Sequence, residues 1–483
     1  MKSILVTGAS GYIGSRLIPT LIEKGYKIRC LVRDERKISE RPWFRKVEIS
    51  RGDVFETASL TKALEGVEVA YYLIHSMSAG KDFHQQDLKA AGNFSDAAEK
   101  AGVKQMIYLG ALGNPDSDLS DHLRSRQETG DKLRSSKVPV TEFRAAVIVG
   151  SGSLSFEIIR YLTERVPIMI CPSWVYTRTQ PIAVDDVIKY LATAAADQAC
   201  FNQIIEIGGA EAITYREMML GYARERGLKR LMIPVPVLTP RLSSYWVHFV
   251  TPVASVIARP LIEGLRNEVI VRNDRARRLF PGIKPKSYRE AVHCALLQLQ
   301  PEVFLRYHGT NTTRLSDISN LSDTTVEEGM ICERHQRIVP ANPGQLYRTF
   351  VSLGGPQGWL SMNWAWRLRG CLDRLAGGVG MRRGRHQSPD LQAGDTVDFW
   401  RVEAVEPGRL LRLKAEMKLP GEAWLQFEVD SHDDKKSRLI QTACFAPLGL
   451  AGLLYWYSLY PIHEIIFRRL VNKIAALSIE NDS

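Results

Sequence analysis

The stretch Thr7-Gly8-Ala9-Ser10-Gly11-Tyr12-Ile13-Gly14 constrains the fold more than any other part of the chain. It follows the apolar run Ile4-Leu5-Val6 and opens a helix-like run from Ile13 to Lys24. A strand that turns sharply into a helix needs a residue without Cβ at the turn, and Gly8 supplies it. Gly11 lets backbone N–H groups approach a pyrophosphate, and Gly14 lets the helix pack closely on the sheet. The positive end of the helix dipole then faces the phosphates. The stretch reads as a dinucleotide-binding turn, with Thr7, Gly8, Ser10, Gly11, Tyr12, Ile13 and Gly14 as its candidate residues. Pro19 removes one donor from the helix and predicts a kink near Ser15.

The next segments repeat the same alternation. A second strand, Lys27–Val32, ends at Arg33, where an arginine suits a ribose 2′-phosphate and an acid would suit a 2′-hydroxyl. The pattern favours NADP(H) over NAD(H), although Asp34 stands next door. A third strand, Val47–Ser50, leads to Asp53, which could meet an adenine amino group or cap a turn. Val67–Ile74 is almost wholly apolar, as a strand buried on both faces should be. His75-Ser76-Met77 then falls at the carboxyl end, where open α/β sheets bind ligands. A helix over Asp82–Lys100, a strand over Gln105–Leu109, a helix near His122–Ser135 and a strand over Val140–Val149 complete the series. Strands and helices at this spacing predict a doubly wound parallel sheet of Rossmann type.

The segments Val6–Gly14, Arg29–Asp34, Arg51-Gly52-Asp53, Glu142–Gly150 and Gln180–Val187 resemble the short-chain dehydrogenase/reductase superfamily, in its atypical, NmrA-like branch. The resemblance covers residues 1 to about 300. With the tail below, the chain is similar to the bacterial two-domain YbjT-type proteins. A standard member carries Ser at the end of the fifth strand and Tyr-x-x-x-Lys on the next helix. Here the strand ends Gly110-Ala111-Leu112-Gly113, and the helix offers His122-Leu-Arg-Ser-Arg126. His122 could act as an acid, since imidazole titrates near neutrality, or it could be a surface or capping histidine. Arg126 suits a phosphate or carboxylate clamp better than a catalytic role. The resemblance implies an NAD(P)H-binding oxidoreductase, and an apolar or membrane-derived substrate that the second domain helps to hold is the first expectation. The missing Ser/Tyr/Lys set keeps open a non-catalytic NADP(H) sensor or scaffold with a lipid-binding second domain.

A length of 483 residues predicts more than one domain. Phe201–Ile207 reads as a strand and Thr214–Arg226 as a helix with a Thr214/Glu217 capping box. Between Pro234 and Arg266 prolines break an apolar stretch (Tyr245, Trp246, His248, Phe249, Ile257) into pieces that could wall an apolar pocket, touch a bilayer or simply pack in the core. The first domain is expected over 1–306, a polar, turn-rich linker over 307–325 and a second domain over 326–483. In that second part Arg409–Leu419 alternates, with Leu411, Leu413, Ala415, Met417 and Leu419 on one face and Arg412, Lys414, Glu416 and Lys418 on the other. Neighbouring strands are expected at Thr396–Val405, Glu422–Val429 and Ser437–Phe445. A helical segment, Leu448–Leu477, interrupted at Pro461, follows. This order resembles the α+β helix-grip fold of START and polyketide-cyclase-like domains, and it assigns no chemistry. His463 and Glu464 match no motif and read as structural.

The net charge of +11 invites a nucleic-acid or membrane partner. Arginines concentrate in Arg266–Arg278 (five, with two acids) and Arg367–Arg385 (six, with one acid), but no nucleic-acid motif accompanies either. Seven scattered cysteines, without C-x-x-C or a His/Cys cluster, suit a reducing cytoplasm and no metal site. A strand beginning at Lys2–Ser3 leaves no room for a signal peptide, so a cytoplasmic location is expected. Leu439–Ile462 carries no charged side chain and looks like a membrane span by hydropathy. Its first third continues a β pattern, and an open sheet edge is not tolerated in lipid. Peripheral contact through Trp456, Tyr457, Tyr460 and the Arg367–Arg385 cluster is the alternative.

Overall fold

The computed structural model describes residues 2–39, 41–75, 83–235, 261–298, 320–327, 329–381, 384–385, 391–433 and 435–480. The chain divides into two compact units, Met1–Thr313 and Arg314–Ser483.

In the first unit seven strands form one parallel sheet. They are β1 (Ser3–Thr7), β2 (Lys27–Val32), β3 (Glu48–Arg51), β4 (Val69–Tyr72), β5 (Gln105–Ala111), β6 (Val140–Ala145) and β7 (Ile204–Ile207). Their order across the sheet is β7-β6-β5-β4-β1-β2-β3. The strand order reverses between β1 and β4, and sheets of this kind bind ligands in the crevice outside the carboxyl ends of the strands at that point. All four residues of β4 are buried, because helices cover both faces.

The helices of this unit include α1 (Tyr12–Glu23), α2 (Thr57–Leu64), α3 (Phe83–Lys100), α4 (Asp121–Arg134), α5 (Leu154–Arg165), α6 (Val184–Thr193), α7 (Tyr215–Glu225) and α8 (Tyr288–Leu297); α1 and α6 pack on one face of the sheet, α2, α3 and α4 on the other, and α5, α7 and α8 share a separate core. Helix α7 starts with the expected capping box, in which Thr214 and Glu217 satisfy each other's backbone N–H groups. The expected sixth strand is split. Val140–Ala145 joins the main sheet, whereas Ile148–Val149 pairs with Ile182–Ala183. Helix α4 is fixed by a buried carboxylate: Glu142 accepts from Arg144 Nε at 2.6 Å and from Arg134. A Cβ on Gly130 of α4 would overlap the Glu142 carboxylate, with its Cδ at 2.7 Å, so glycine there lets α4 settle onto β6.

The arginines of 266–278 are largely spent inside this unit. Arg272 pairs with Glu206 at 2.8 Å, Arg275 donates to the Ile204 carbonyl at 2.7 Å, and Arg266 pairs with Asp118 at 3.2 Å. The apolar stretch containing Tyr245, Trp246, His248, Phe249 and Ile257 lies outside the described residues, as do Ser76 and Met77.

The second unit is an antiparallel sheet with helices. Its strands are β8 (Asn320–Glu327), β9 (Met330–Val339), β10 (Thr396–Val397), β11 (Trp400–Glu406), β12 (Leu410–Ala415), β13 (Gly421–Asp433) and β14 (Lys436–Pro447), in the order β8-β9-β14-β13-β12-β11-β10. The polar residues 320–323, read from sequence as linker, are part of β8 and pair with Arg334–Arg337. Backbone pairing needs no apolar side chain, so composition could not reveal this strand.

Three helices complete the unit: α9 (Pro343–Val351), α10 (Asn363–Leu375) and α11 (Gly449–Glu480). Ile466, Phe467, Leu470 and Ile474 of α11 share one core with Leu411, Leu413, Leu425 and Phe427 of the sheet. Pro461 does not interrupt α11, which runs through it for 32 residues. A proline removes one backbone donor, and the apolar packing on either side of it holds the helix together.

The alternating strand ends at Ala415, and its polar face is not simply solvated, because Arg412 is buried and donates to Gln426 at 2.6 Å. Cys332 and Cys444, which lie 112 residues apart in sequence, are cross-strand neighbours of β9 and β14 joined as a disulfide. The cysteines that look scattered and free along the chain therefore include one pair. Among the described residues no group of His, Cys, Asp and Glu could hold a metal ion, and no helix is long and apolar enough to cross a membrane.

Candidate functional site

The glycine turn sits between β1 and α1, at the crevice. Gly8 has φ +68°, and a Cβ on it would lie 2.5 Å from the Leu73 carbonyl oxygen. A Cβ on Gly14 would meet the Gly8 carbonyl carbon at 2.9 Å and its oxygen closer still. Gly11 donates its N–H to Gly8 O at 2.9 Å and, with Ser10, is exposed to the crevice. Thr7 points inward: its hydroxyl donates to Tyr71 O at 2.8 Å and accepts from Leu73 N–H at 3.1 Å, stitching β1 to β4. Ile13 packs into the core, and Arg16 lies 4.0 Å over the Tyr12 ring. The turn thus leaves Ser10 and Gly11 exposed, with the Gly11 N–H spent on Gly8 O, while Thr7 and Ile13 anchor it to the sheet and the core.

At the end of β2, Arg33 is exposed. Asp34 is occupied: both carboxylate oxygens take Arg36 at 2.9 Å, and this contact holds its carboxyl below the usual range. Asp53 Oδ1 accepts from the Phe55 N–H at 3.0 Å, a turn contact that leaves Oδ2 available.

On the other side of the crevice the structure gathers a cluster that separate segments of sequence gave only singly. His75 follows β4, and its Nδ1 lies 2.9 Å from Asp87 Oδ2 on α3. The His75 and His122 rings are 5.2 Å apart. Arg126 donates to the Leu109 carbonyl and stacks 5.0 Å over Tyr108, whose hydroxyl donates to the Arg126 carbonyl at 2.8 Å. His75 Nε2, His122 Nδ1 and Tyr72 Oη are buried and have no hydrogen-bond partner among the described residues. Buried polar atoms are normally satisfied, so three such atoms in one cluster around Asp87 and Arg126 make it a candidate place for a ligand.

Asp87 was not foreseen. It has a sequence signal, since it is an acid on the apolar stripe that Ala90, Ala91, Phe94, Ala97 and Ala98 draw along α3. Behind His122 lies a cavity of about 120 Å³ lined by Ala111, Leu112, Ile158, Tyr215, Leu261 and Val269. Its wall is apolar apart from the histidine and a few hydroxyls.

Burial dominates the titration of both histidines. His122 is pushed down to about 3 by burial, then by His75 and Arg126. His75 is lowered by burial and by Arg126, against the opposing pull of Asp87. In the second unit His463 is likewise pushed down to about 3 by burial and by Arg369. A folded imidazole that stays neutral to about 3 binds fewer protons than its unfolded counterpart, which charges below 6.5. Stability is therefore full above about pH 6.5 and falls as pH drops towards 3, by up to about 1.4 kcal/mol per pH unit for each histidine. Thermal unfolding measured between about pH 7 and about pH 5 is expected to show this decline. His122→Asn and His463→Asn should each flatten it, and an unchanged slope in both variants would contradict the burial argument.

Residues 1–234 match the NmrA-like family, and residues 332–470 match a family described as a protein of unknown function (DUF2867). A ceramide reductase from Caulobacter vibrioides is 26% identical over 244 residues, covering 48% of this chain and 73% of the relative. The photosystem II assembly factor Ycf39 of Trieres chinensis is 24% identical over 339 residues, covering 68% and 99%. Among solved structures, Citrobacter sp. triphenylmethane reductase complexed with NADP(H) is 22% identical with a TM-score of 0.50, covering 60% of this chain and 99% of that one. The NADPH-dependent quinone oxidoreductase QOR2 of Escherichia coli, complexed with NADPH, is 20% identical with a TM-score of 0.50, covering 60% and 98%. At these identities the two structures share the fold with this chain. Residues 1–234 are thus an NmrA-like family domain, and residues 332–470 are a separate DUF2867 domain.

Proposed function

We propose that the first unit binds NADP(H) and reduces an apolar substrate at the carboxyl edge of its sheet. The observation that carries this reading is the pair of buried imidazoles, 5.2 Å apart and each with an unsatisfied ring nitrogen, of which His122 lines an apolar cavity and His75 follows β4, the strand that Thr7 of the glycine turn ties to β1. The turn fits a dinucleotide, because a Cβ at Gly14 would press on the Gly8 carbonyl and break the close strand–helix packing of the turn, and no acid occupies the first turn of α1. The Gly8–Gly14 backbone would hold the pyrophosphate, Arg33 the 2′-phosphate, and Asp53 the adenine side. The NADPH and NADP(H) bound by the two structural neighbours support the same choice.

When bound, the cofactor supplies a hydride; the protein supplies the rest. Asp87 accepts the Nδ1 proton of His75, which fixes the tautomer and makes Nε2 the atom that holds or gives up a proton towards the crevice. Its carboxylate also offsets the charge of the protonated ring. His122 stays neutral at physiological pH and acts as a hydrogen-bond donor that orients and polarises a substrate oxygen. The apolar wall excludes water from the reacting atoms. The ceramide reductase among the relatives supports an apolar, lipid-like substrate.

The cofactor choice has a direct test. Wild type is expected to bind NADPH at least about tenfold more tightly than NADH, since a charge-assisted arginine–phosphate contact is worth about 1.5–3 kcal/mol. Arg33→Asp should reverse the order. Equal affinities for both cofactors in titration calorimetry of wild type would remove the role given to Arg33.

A further inference from the structure

Helix α10 is amphipathic in the wrong direction for a core helix. Trp364, Leu368, Leu372 and Leu375 recur at helical spacing on one stripe and are 64%, 52%, 58% and 81% exposed. The first half of α11 adds exposed Leu454, Tyr457, Ile462 and Ile465. The two helices are neighbours. Arg369 donates to the Tyr455 hydroxyl and its Nη1 lies 3.4 Å from His463 Nε2. A groove of about 330 Å³, floored by Ala365, Met417, Leu459 and Ile466, runs between them. So large a set of apolar side chains on adjoining helices marks an interaction surface.

We propose that this face docks the protein on an anionic lipid bilayer. Its charge supports that occupant. Arg367 and Arg374 flank the α10 stripe, and Arg469 follows the apolar part of α11 on the same side of the helix; all three are exposed. The acids nearby are committed. Asp373 turns inward to accept from the N–H groups of Gly380 and Lys418, and Glu464 pairs with Arg468 at 3.2 Å. A second copy of the chain would lay these arginines against themselves, whereas phosphate headgroups complement them. Leu368, Leu372 and Leu454 would enter the acyl boundary while Trp364 and Tyr457 rest at headgroup level, the arrangement of an interfacial amphipathic helix.

This surface differs from the one expected from sequence. Trp456 is 3% exposed and stacks on Phe445 in the interior, and Arg385 donates to the Val351 and Leu353 carbonyls. Arg382 and Arg383 lie outside the described residues. The proposal stands apart from the reductase reading, because it rests on the second unit.

The test is co-sedimentation of the full chain with phosphatidylcholine vesicles, with and without phosphatidylglycerol. Wild type is expected to pellet with the phosphatidylglycerol vesicles and to be released as salt rises. The double variant Arg367→Gln/Arg374→Gln should weaken this binding on the order of 30-fold, at about 1 kcal/mol per basic residue. The double variant Leu368→Asp/Leu372→Asp should lose it altogether, with unchanged circular dichroism. Wild type that stays in the supernatant, or variants that pellet like wild type, would overturn the proposal. Self-association abolished by the leucine substitutions, without vesicle binding, would assign the face to a second copy and overturn it too.

Discussion

Replacing Gly14 with valine is expected to abolish NADPH binding while leaving the chain folded. The argument is geometric. The Cβ of any residue at 14 would press on the Gly8 carbonyl, whose carbon lies at 2.9 Å. Gly8 cannot retreat, because its own φ is +68° and its Cβ position faces the Leu73 carbonyl at 2.5 Å. Thr7 holds the strand end in place through Tyr71 and Leu73. The turn must therefore open outward, on the exposed side of Ser10 and Gly11. Overpacking of this kind costs about 1–3 kcal/mol in a closed site, and here it also scatters the donors, so a loss on the order of 100-fold is expected. Calorimetric titration reads the affinity and circular dichroism reads the fold. Wild-type affinity in Gly14→Val would show that the dinucleotide site lies elsewhere.

The second large effect belongs to Asp87. Asp87→Asn keeps the shape but removes the charge that orients His75 and opposes the lowering of its pKa. Turnover is expected to fall on the order of 100-fold with little change in KM, the usual scale for loss of acid–base assistance. A pH profile separates this positioning role from a structural one. Protonated His75 is the active form, so the rate falls as pH rises through its lowered pKa. Without the carboxylate that pKa drops further, and the descending limb should move to lower pH. A uniform loss of rate at every pH, with the limb unmoved, would make Asp87 structural.

Much of the first unit was legible because its signals are local. Ile4–Val6 followed by three spaced glycines can hardly be anything but strand, turn and helix, and the alternation that follows reads off period and length. The strand Lys27–Val32 falls where periodicity put it. The site was only half legible. His75 and His122 are 47 positions apart and Asp87 sits on a third element, so their meeting depends on the order of strands rather than on any spacing. Asp34 looked like a rival to Arg33 and turned out to be held by Arg36, a contact that no sequence pattern announces. In the second unit the alternation of Leu411 and Leu413 was readable. The strand Asn320–Glu327 was not, since it offers the sheet its backbone and few apolar side chains. Trp456 illustrates the limit of composition: an aromatic in an uncharged run can face lipid or core, and only packing against Phe445 decides.

The most direct test of the central reading is transfer of label from NADPH deuterated at C4 of the nicotinamide. The full chain would be incubated with the labelled cofactor and a total lipid extract, and the products followed by mass spectrometry. The account predicts deuterium in an apolar product, formed by wild type and reduced on the order of 100-fold in Asp87→Asn. Tight NADPH binding with no label leaving the cofactor, across polar and apolar fractions alike, would contradict it.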